Sequence, residues 1–308
     1  MPIKYFDILA ARKAYLEGKN VVDHLREQHH APNNTSEIIE TAYDLQAGTY
    51  IEQVRKDNGR ALLYASELAE IINKHIKPGY SLLDIGTGEM TTISLIMNII
   101  NSKPKQLLAF DISWSRIYKG LQYAKINMKK NYDLLCPFVA DISEIPLPEK
   151  SVNITTSSHA LEPNGGNLEK LISELFRVTV DKLVLFEPCY EINSDEGKKR
   201  MDSLGYIKNI ESVVKNLGGN LVDIIKIDNV INPLNPTACY VIVPPIHIGM
   251  KHKNMRTVGK FSVPGTNFYL EKIDNFFFSK QTGLCFPILR SVPVLRSSAA
   301  ILATAFGE

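Results

Sequence analysis

Apolar positions recur first at helical spacing and then in short runs separated by polar turns. Between residues 62 and 76, leucines and isoleucines form a stripe that stops at Pro78-Gly79, which predicts an amphipathic helix. Short apolar runs follow, typical of buried strands. The predicted strands cover residues 81–85, 106–111, 134–140, 151–157, 182–187, 221–228 and 238–243.

Helical patterns lie between these strands. An apolar helix is predicted over residues 93–100, an amphipathic helix over 168–176 and a further helix near 206–217. Strand and helix signals therefore alternate along the chain. Repeated β-α units predict a doubly wound α/β fold, in which a mostly parallel sheet carries helices on both faces.

The two ends of the chain differ from this central part. Residues 1–60 look helical and polar, and residues 61–250 hold the alternating pattern. A basic stretch without periodicity, residues 251–256, opens the third part. Residues 251–308 are then predicted to form a small β-rich module, which is too small to be very stable unless it docks on the main domain.

Length, charge and cysteine usage exclude several classes of protein. The 308 residues are 44% apolar and 22% charged, and a net charge of +2 gives no strong signal for nucleic acid. No apolar run reaches the roughly 18 residues that a membrane span needs. The four cysteines stand far apart, which fits a reducing compartment, so the expected location is the cytoplasm. A homo-oligomer is compatible with the sequence but nothing specifies one.

A Gly-x-Gly turn follows the first predicted strand. Gly86 and Gly88 would let a cofactor lie against bare backbone. A dinucleotide fingerprint needs a third glycine where this chain has Thr91, which weakens a nicotinamide oxidoreductase. Asp84 and Glu89 flank the turn and would oppose a phosphate but favour an ammonium or a sulfonium. S-adenosylmethionine carries both groups.

Polar side chains follow the next three strands, at the sheet edge where open parallel sheets bind ligands. Asp111, followed by Ile112 and Ser113, can accept hydrogen bonds from both ribose hydroxyls of an adenosyl group. Asp141 can accept from the adenine amino group, while Ile142 packs on the ring. The fourth strand ends in His159 and Glu162.

Over residues 40–245 the chain resembles the class I S-adenosylmethionine-dependent methyltransferases of the small-molecule type. The resemblance is carried by Leu-Asp-Ile-Gly-Thr-Gly-Glu, Phe-Asp-Ile-Ser, Val-Ala-Asp-Ile and the motif after the fourth strand. The resemblance implies a Rossmann-like sheet of seven strands whose last strand is antiparallel. It places Asp84, Gly86 and Gly88 at the methionine end, Asp111 at the ribose, and Asp141 with Ile142 at the adenine. Met90 departs from the pattern, since many members have a small residue there.

Two further segments resemble known elements. The stretch Ala-Tyr-Asp-Leu-Gln-Ala-Gly-Thr-Tyr resembles the lid before the sheet of many small-molecule methyltransferases, which implies that Tyr43, Gln46 and Tyr50 lie near the methionine or the substrate; two packed helical tyrosines explain it equally well. The tail over 261–295 loosely resembles a zinc-ribbon-like module. Only Cys285 stands where ligand pairs would be expected, so no metal is expected.

The expected chemistry is methyl transfer to a small polar acceptor, with an anionic or sugar-like molecule favoured. O-methylation is favoured because His159 and Glu162 could act as general bases, and His159 would also border the cofactor. Lys198, Lys199 and Arg200 could hold an anionic substrate or form a solvated helix face. A non-catalytic cofactor-binding scaffold and an RNA methyltransferase stay open as alternatives.

Overall fold

Five helices precede the sheet in the computed structural model, which describes residues 7–230, 232–245 and 260–307. Their starts follow local capping: the Asn20 side chain accepts backbone N–H groups of the second helix, and Asp57 caps the fifth. The polar N-terminal segment is helical, as predicted. The helices are α1 (Ile8–Leu16), α2 (Val21–Gln28), α3 (Ser36–Leu45), α4 (Thr49–Lys56) and α5 (Asn58–Asn73).

A seven-stranded sheet forms the centre of the molecule. Its strand order is β3-β2-β1-β4-β5-β7-β6, and β7 runs antiparallel to both of its neighbours. The prediction of a doubly wound, mostly parallel sheet with an antiparallel last strand is confirmed. The strands are β1 (Ser81–Ile85), β2 (Gln106–Asp111), β3 (Leu135–Val139), β4 (Val152–Ser158), β5 (Thr179–Pro188), β6 (Asn220–Lys226) and β7 (Thr237–Val243).

Helices cover both faces of this sheet. Every residue of the central strand β1 is therefore buried, whichever face its side chain points to. Leu82 joins one apolar core, which includes Leu68 and Ile93, while Leu83 joins the other with Leu171 and Ile172. The strand thus directs alternate side chains into two layers. The helices after β1 are α6 (Thr91–Ile99), α7 (Trp114–Asn127), α8 (Leu168–Val178), α9 (Asp195–Ser203) and α10 (Ile210–Asn216).

A second, five-stranded antiparallel sheet forms the C-terminal part. It docks on the edge strand β3: Val294 pairs with Val139, and the Leu295 N–H donates to the Val139 carbonyl at 2.8 Å. Phe261 packs edge-on against Phe138, with ring centroids 5.0 Å apart. Docking thereby covers an exposed sheet edge. The strands are β8 (Glu271–Ile273), β9 (Phe276–Ser279), β10 (Leu284–Leu289), β11 (Val292–Pro293) and β12 (Ile301–Leu302).

The boundary expected between the second and third parts of the chain cannot be placed on the structure. Residues 251–256, the predicted basic linker, lie outside the described residues. The division into 1–60, 61–250 and 251–308 therefore stays a prediction. Among the helices described, none is long and apolar enough to cross a membrane.

Candidate functional site

A cavity of about 770 Å³ opens at the carboxyl ends of β1 to β4. Residues of the N-terminal helices α3, α4 and α5 also line it. Parallel strands bring these ends to one edge of the sheet, which explains why residues far apart in sequence meet here. Gln46 and Ser113 do not line the cavity. The predicted site residues that do line it are Tyr43, Tyr50, Asp84, Gly86, Gly88, Glu89, Asp111, Ile112, Asp141, Ile142, His159 and Glu162.

Left-handed backbone shapes the turn after β1. Gly86 has φ 57° and Gly88 has φ 55°, conformations that favour glycine. A Cβ atom at Gly86 would clash with the Cβ of Ala160, so this position admits no larger residue without rearrangement. Met90, the departure from the family pattern, is also left-handed and fully buried at the start of α6. The turn therefore forms despite its large side chain.

Asp111 connects this turn to the next loop. One carboxylate oxygen accepts the Gly88 N–H at 3.0 Å, and the other accepts the Ser113 N–H at 2.9 Å. Each oxygen keeps a further lone pair, and the residue lines the cavity. Ser113 itself caps α7 and donates its hydroxyl to Asp44 at 2.6 Å. In the structure Ser113 therefore holds the loop between β2 and α7 against α3.

Asp84 and Asp141 complete a row of acids at three successive strand ends. The Asp84 carboxylate accepts the Thr156 hydroxyl at 3.0 Å. Burial raises the pKa of Asp84 to about 6, and the charge of Asp111 adds to this rise. Asp141 accepts the Ser143 N–H at 2.8 Å, which orients its carboxylate beside Ile142. A cationic ligand would relieve the unfavourable burial of Asp84.

Glu89 points to the N-terminal helices. Its two oxygens accept the backbone N–H groups of Gly48 at 2.8 Å and Ile51 at 2.9 Å, in the first turn of α4. Arg116 lies 3.8 Å from the same carboxylate, and both residues are buried. Glu89 therefore fastens the segment that covers the cavity, a contact that the sequence did not indicate.

Arg116 in turn lies between two of the predicted lid tyrosines. Its guanidinium carbon is 4.9 Å from the Tyr43 ring centroid and 4.5 Å from that of Tyr50. This arginine could not be identified from the sequence, because a single basic residue in a helix carries no distinctive pattern. We call Asp84, Gly86, Gly88, Asp111 and Asp141 the glycine-turn end of the cavity.

A hydrogen-bonded pair, His159 and Glu162, lines another part of the cavity. His159 Nδ1 lies 2.5 Å from a Glu162 oxygen, and Nε2 lies 2.9 Å from the Thr237 hydroxyl. Burial lowers the pKa of His159, but the hydrogen bond and charge of Glu162 outweigh it, so the net pKa is raised. His159 also has φ 57°, so its position depends on a strained backbone.

Several residues around this pair were missed or interpreted differently. Asn235, which the sequence did not indicate as a site residue, donates to Glu162 at 3.1 Å. Tyr206 also hydrogen-bonds Glu162, and burial is the main reason its pKa is raised. Arg200 is the member of the predicted basic run that lines the cavity. We call His159, Glu162, Arg200, Tyr206, Asn235 and Thr237 the His159 end.

In the described part of the chain, no group of three or more histidine, cysteine, aspartate or glutamate side chains is arranged to hold a metal ion. Cys285 is a free thiol in β10. The likeness of the tail to a zinc-ribbon-like module stays an interpretation of its sequence.

No protein-family model and no curated protein sequence matches this chain. Solved structures resemble it at low identity. A chain from the complex between the Haloferax volcanii Trm112 methyltransferase activator and a methyltransferase is 14% identical, with a TM-score of 0.48, over 60% of this chain and 91% of that chain. A SAM-dependent methyltransferase from Aquifex aeolicus is 16% identical, with a TM-score of 0.44, over 62% and 97%.

Magnesium protoporphyrin IX methyltransferase from Synechocystis PCC 6803, solved with bound SAH, is 15% identical, with a TM-score of 0.47, over 62% of this chain and 86% of that chain. At these scores the likeness adds no argument about function. The strand order and the antiparallel β7 themselves define the class: this is a Rossmann-like methyltransferase fold.

Proposed function

We propose that the protein is an S-adenosylmethionine-dependent methyltransferase that acts on a small polar acceptor. One observation carries the proposal: acids at three consecutive strand ends, Asp84, Asp111 and Asp141, line one cavity together with a glycine turn of left-handed backbone. A fold alone does not specify a reaction, so the proposed reaction is inferred from the residues of this site.

The residues present fit this cofactor. Asp111 has lone pairs available for two ribose hydroxyls, because each oxygen accepts only one backbone N–H. Asp141 and Ile142 border the place proposed for the adenine. The raised pKa of Asp84 reflects a buried acid that lacks a compensating cation, and the α-ammonium of the cofactor would supply one.

When bound, S-adenosylmethionine supplies a methyl group activated by a sulfonium. The chain's own contribution would be to orient the acceptor and receive its proton. Glu162 accepts a hydrogen bond from Nδ1–H of His159 and so fixes this tautomer. The lone pair of Nε2 is then directed toward the Thr237 hydroxyl. An acceptor hydroxyl that replaces Thr237 as the hydrogen-bond donor would pass its proton to Nε2 of His159. This arrangement supports O-methylation as the proposed reaction.

Calorimetric titration of the purified full chain tests the proposal. We expect S-adenosylmethionine and S-adenosylhomocysteine to bind at micromolar levels and NAD⁺ not to bind, since the acids at the glycine-turn end oppose a pyrophosphate. Mass spectrometry of ligand that copurifies with the protein gives an independent reading. Absence of heat with both sulfur compounds would contradict the proposal, and heat with NAD⁺ would favour an oxidoreductase.

The acceptor's identity, a cytoplasmic location and homo-oligomer formation remain predictions from the sequence. If the cofactor bound but no methyl transfer occurred with any acceptor, the scaffold alternative would be favoured. An RNA substrate would require a concentrated basic surface and salt-sensitive retention of RNA, which a binding assay at two salt concentrations would detect.

A further inference from the structure

Arg200 is a cation that lines the His159 end of the cavity. It lies on α9, in the segment between β5 and α10. Within the described part of the chain, its buried Nη1 atom has no hydrogen-bond partner. Among the residues described, no carboxylate lies within ion-pair distance of this guanidinium. A buried donor of this kind is costly unless a ligand satisfies it.

The Tyr206 ring holds the Arg200 side chain in place. The guanidinium carbon lies 5.6 Å from the ring centroid. Tyr206 also hydrogen-bonds Glu162. The arginine is therefore positioned beside the His159–Glu162 pair, and its side chain and the Glu162 carboxylate both interact with Tyr206.

Asn235 supplies an unsatisfied acceptor at the same end of the cavity. The residue is only 8% exposed, and its Oδ1 atom has no hydrogen-bond partner among the residues that the structure describes. The orientation of its amide is defined, because Nδ2 donates to the Glu162 carboxylate at 3.1 Å. In the flipped orientation the amide oxygen would face the carboxylate oxygen, and the two would repel each other. The cavity thus offers one unpaired donor cation and one unpaired acceptor near His159.

We propose that the methyl acceptor is a small carboxylic acid that carries hydroxyl groups, with its carboxylate on Arg200 and an O–H donor on Asn235 Oδ1. This inference rests on the proposed methyltransferase function. A guanidinium matches a carboxylate in charge and in planar geometry. A phosphate carries nearly two negative charges, and Glu162 behind Tyr206 would oppose the second one.

The test uses the full chain saturated with S-adenosylhomocysteine. The probes are a panel of small hydroxycarboxylic acids, the corresponding neutral amides, and phosphate monoesters of the same size. Binding is measured as a thermal shift and by calorimetry in the wild-type chain, in Arg200→Gln and in Lys199→Gln. Lys199 is exposed on the same helix and does not line the cavity, so its variant is the matched control.

We expect acids to bind at least about tenfold more tightly than their amides, because the pairing with a guanidinium is charge-assisted. Arg200→Gln should remove this preference, and Lys199→Gln should keep it. S-Adenosylhomocysteine should bind all three chains equally, which separates this inference from the proposed function. Equal binding of acids and amides, a preference for phosphate monoesters, a preference that survives in Arg200→Gln, or binding of no probe would overturn the inference.

Discussion

The two ends of the cavity are built in different ways. The glycine-turn end comes from three successive β-strands, and its acids all fall between residues 84 and 141. The His159 end combines residues from the end of β4, from the α9 segment and from the start of β7. The first end follows from local sequence, while the second depends on which strands pair.

Strand pairing decides the geometry of the His159 end. The His159 N–H donates to the Phe186 carbonyl at 2.9 Å, and Thr237 pairs with Pro188 in the antiparallel ladder between β5 and β7. This register brings Thr237 within 2.9 Å of His159 Nε2, although the two are far apart in the chain. Substitutions at the two ends should therefore separate catalysis from cofactor binding.

The largest effect is expected at His159. His159→Asn removes the proposed base, and asparagine tolerates the left-handed backbone at this position. The kcat should therefore fall about 10²- to 10⁴-fold. The affinity for S-adenosylhomocysteine should stay unchanged. Because the net pKa of His159 is raised above its ordinary value by Glu162, the neutral imidazole that acts as the base forms only as the pH rises through this raised pKa. Wild-type kcat should rise with pH through that pKa, and the variant should lose this rise. An unchanged kcat would exclude His159 as the base.

A smaller effect is expected at the glycine-turn end, on binding alone. Asp111→Asn should weaken S-adenosylhomocysteine binding about hundredfold, because two charge-assisted hydrogen bonds to the ribose would be lost, each worth about 1.5–3 kcal/mol before compensation. Calorimetry measures the change. Asp133→Asn, at an exposed position before β3, is the control. Retained affinity in a folded Asp111→Asn chain would show that the ribose lies elsewhere.

The smallest effect tests whether the N-terminal helices belong to the glycine-turn end. Glu89→Gln removes the negative charge nearest the buried Arg116 and weakens the acceptor of the α4 N–H groups, so the free energy of unfolding should fall by about 1–3 kcal/mol. Urea unfolding followed through Trp114, the single tryptophan, provides the measurement. The control is Glu52→Gln, which is exposed on α4. Equal stability of the two variants would show that Glu89 does not fasten the lid.

The sequence allowed good prediction of the glycine-turn end, because each acid directly follows a buried apolar strand. It predicted less well what each carboxylate contacts. Glu89 was expected to favour a sulfonium, yet both its oxygens accept hydrogen bonds from α4. Gln46 was expected near the methionine or the substrate, and it lies at the end of α3 outside the cavity lining. The Glu89 contacts join segments about 40 residues apart, which no local pattern encodes.

The sequence by itself determined the alternation of strands and helices, the left-handed glycine turn and the row of acids, because apolar periodicity and residue type act locally. Tertiary structure alone decided the rest. It paired β7 with β5, turned Arg200 rather than Lys199 into the cavity, and placed Asn235 and Tyr206 around Glu162. The physical reason is that register and packing are set by contacts distant in sequence, and a one-residue change in register would reverse which side chains face the site.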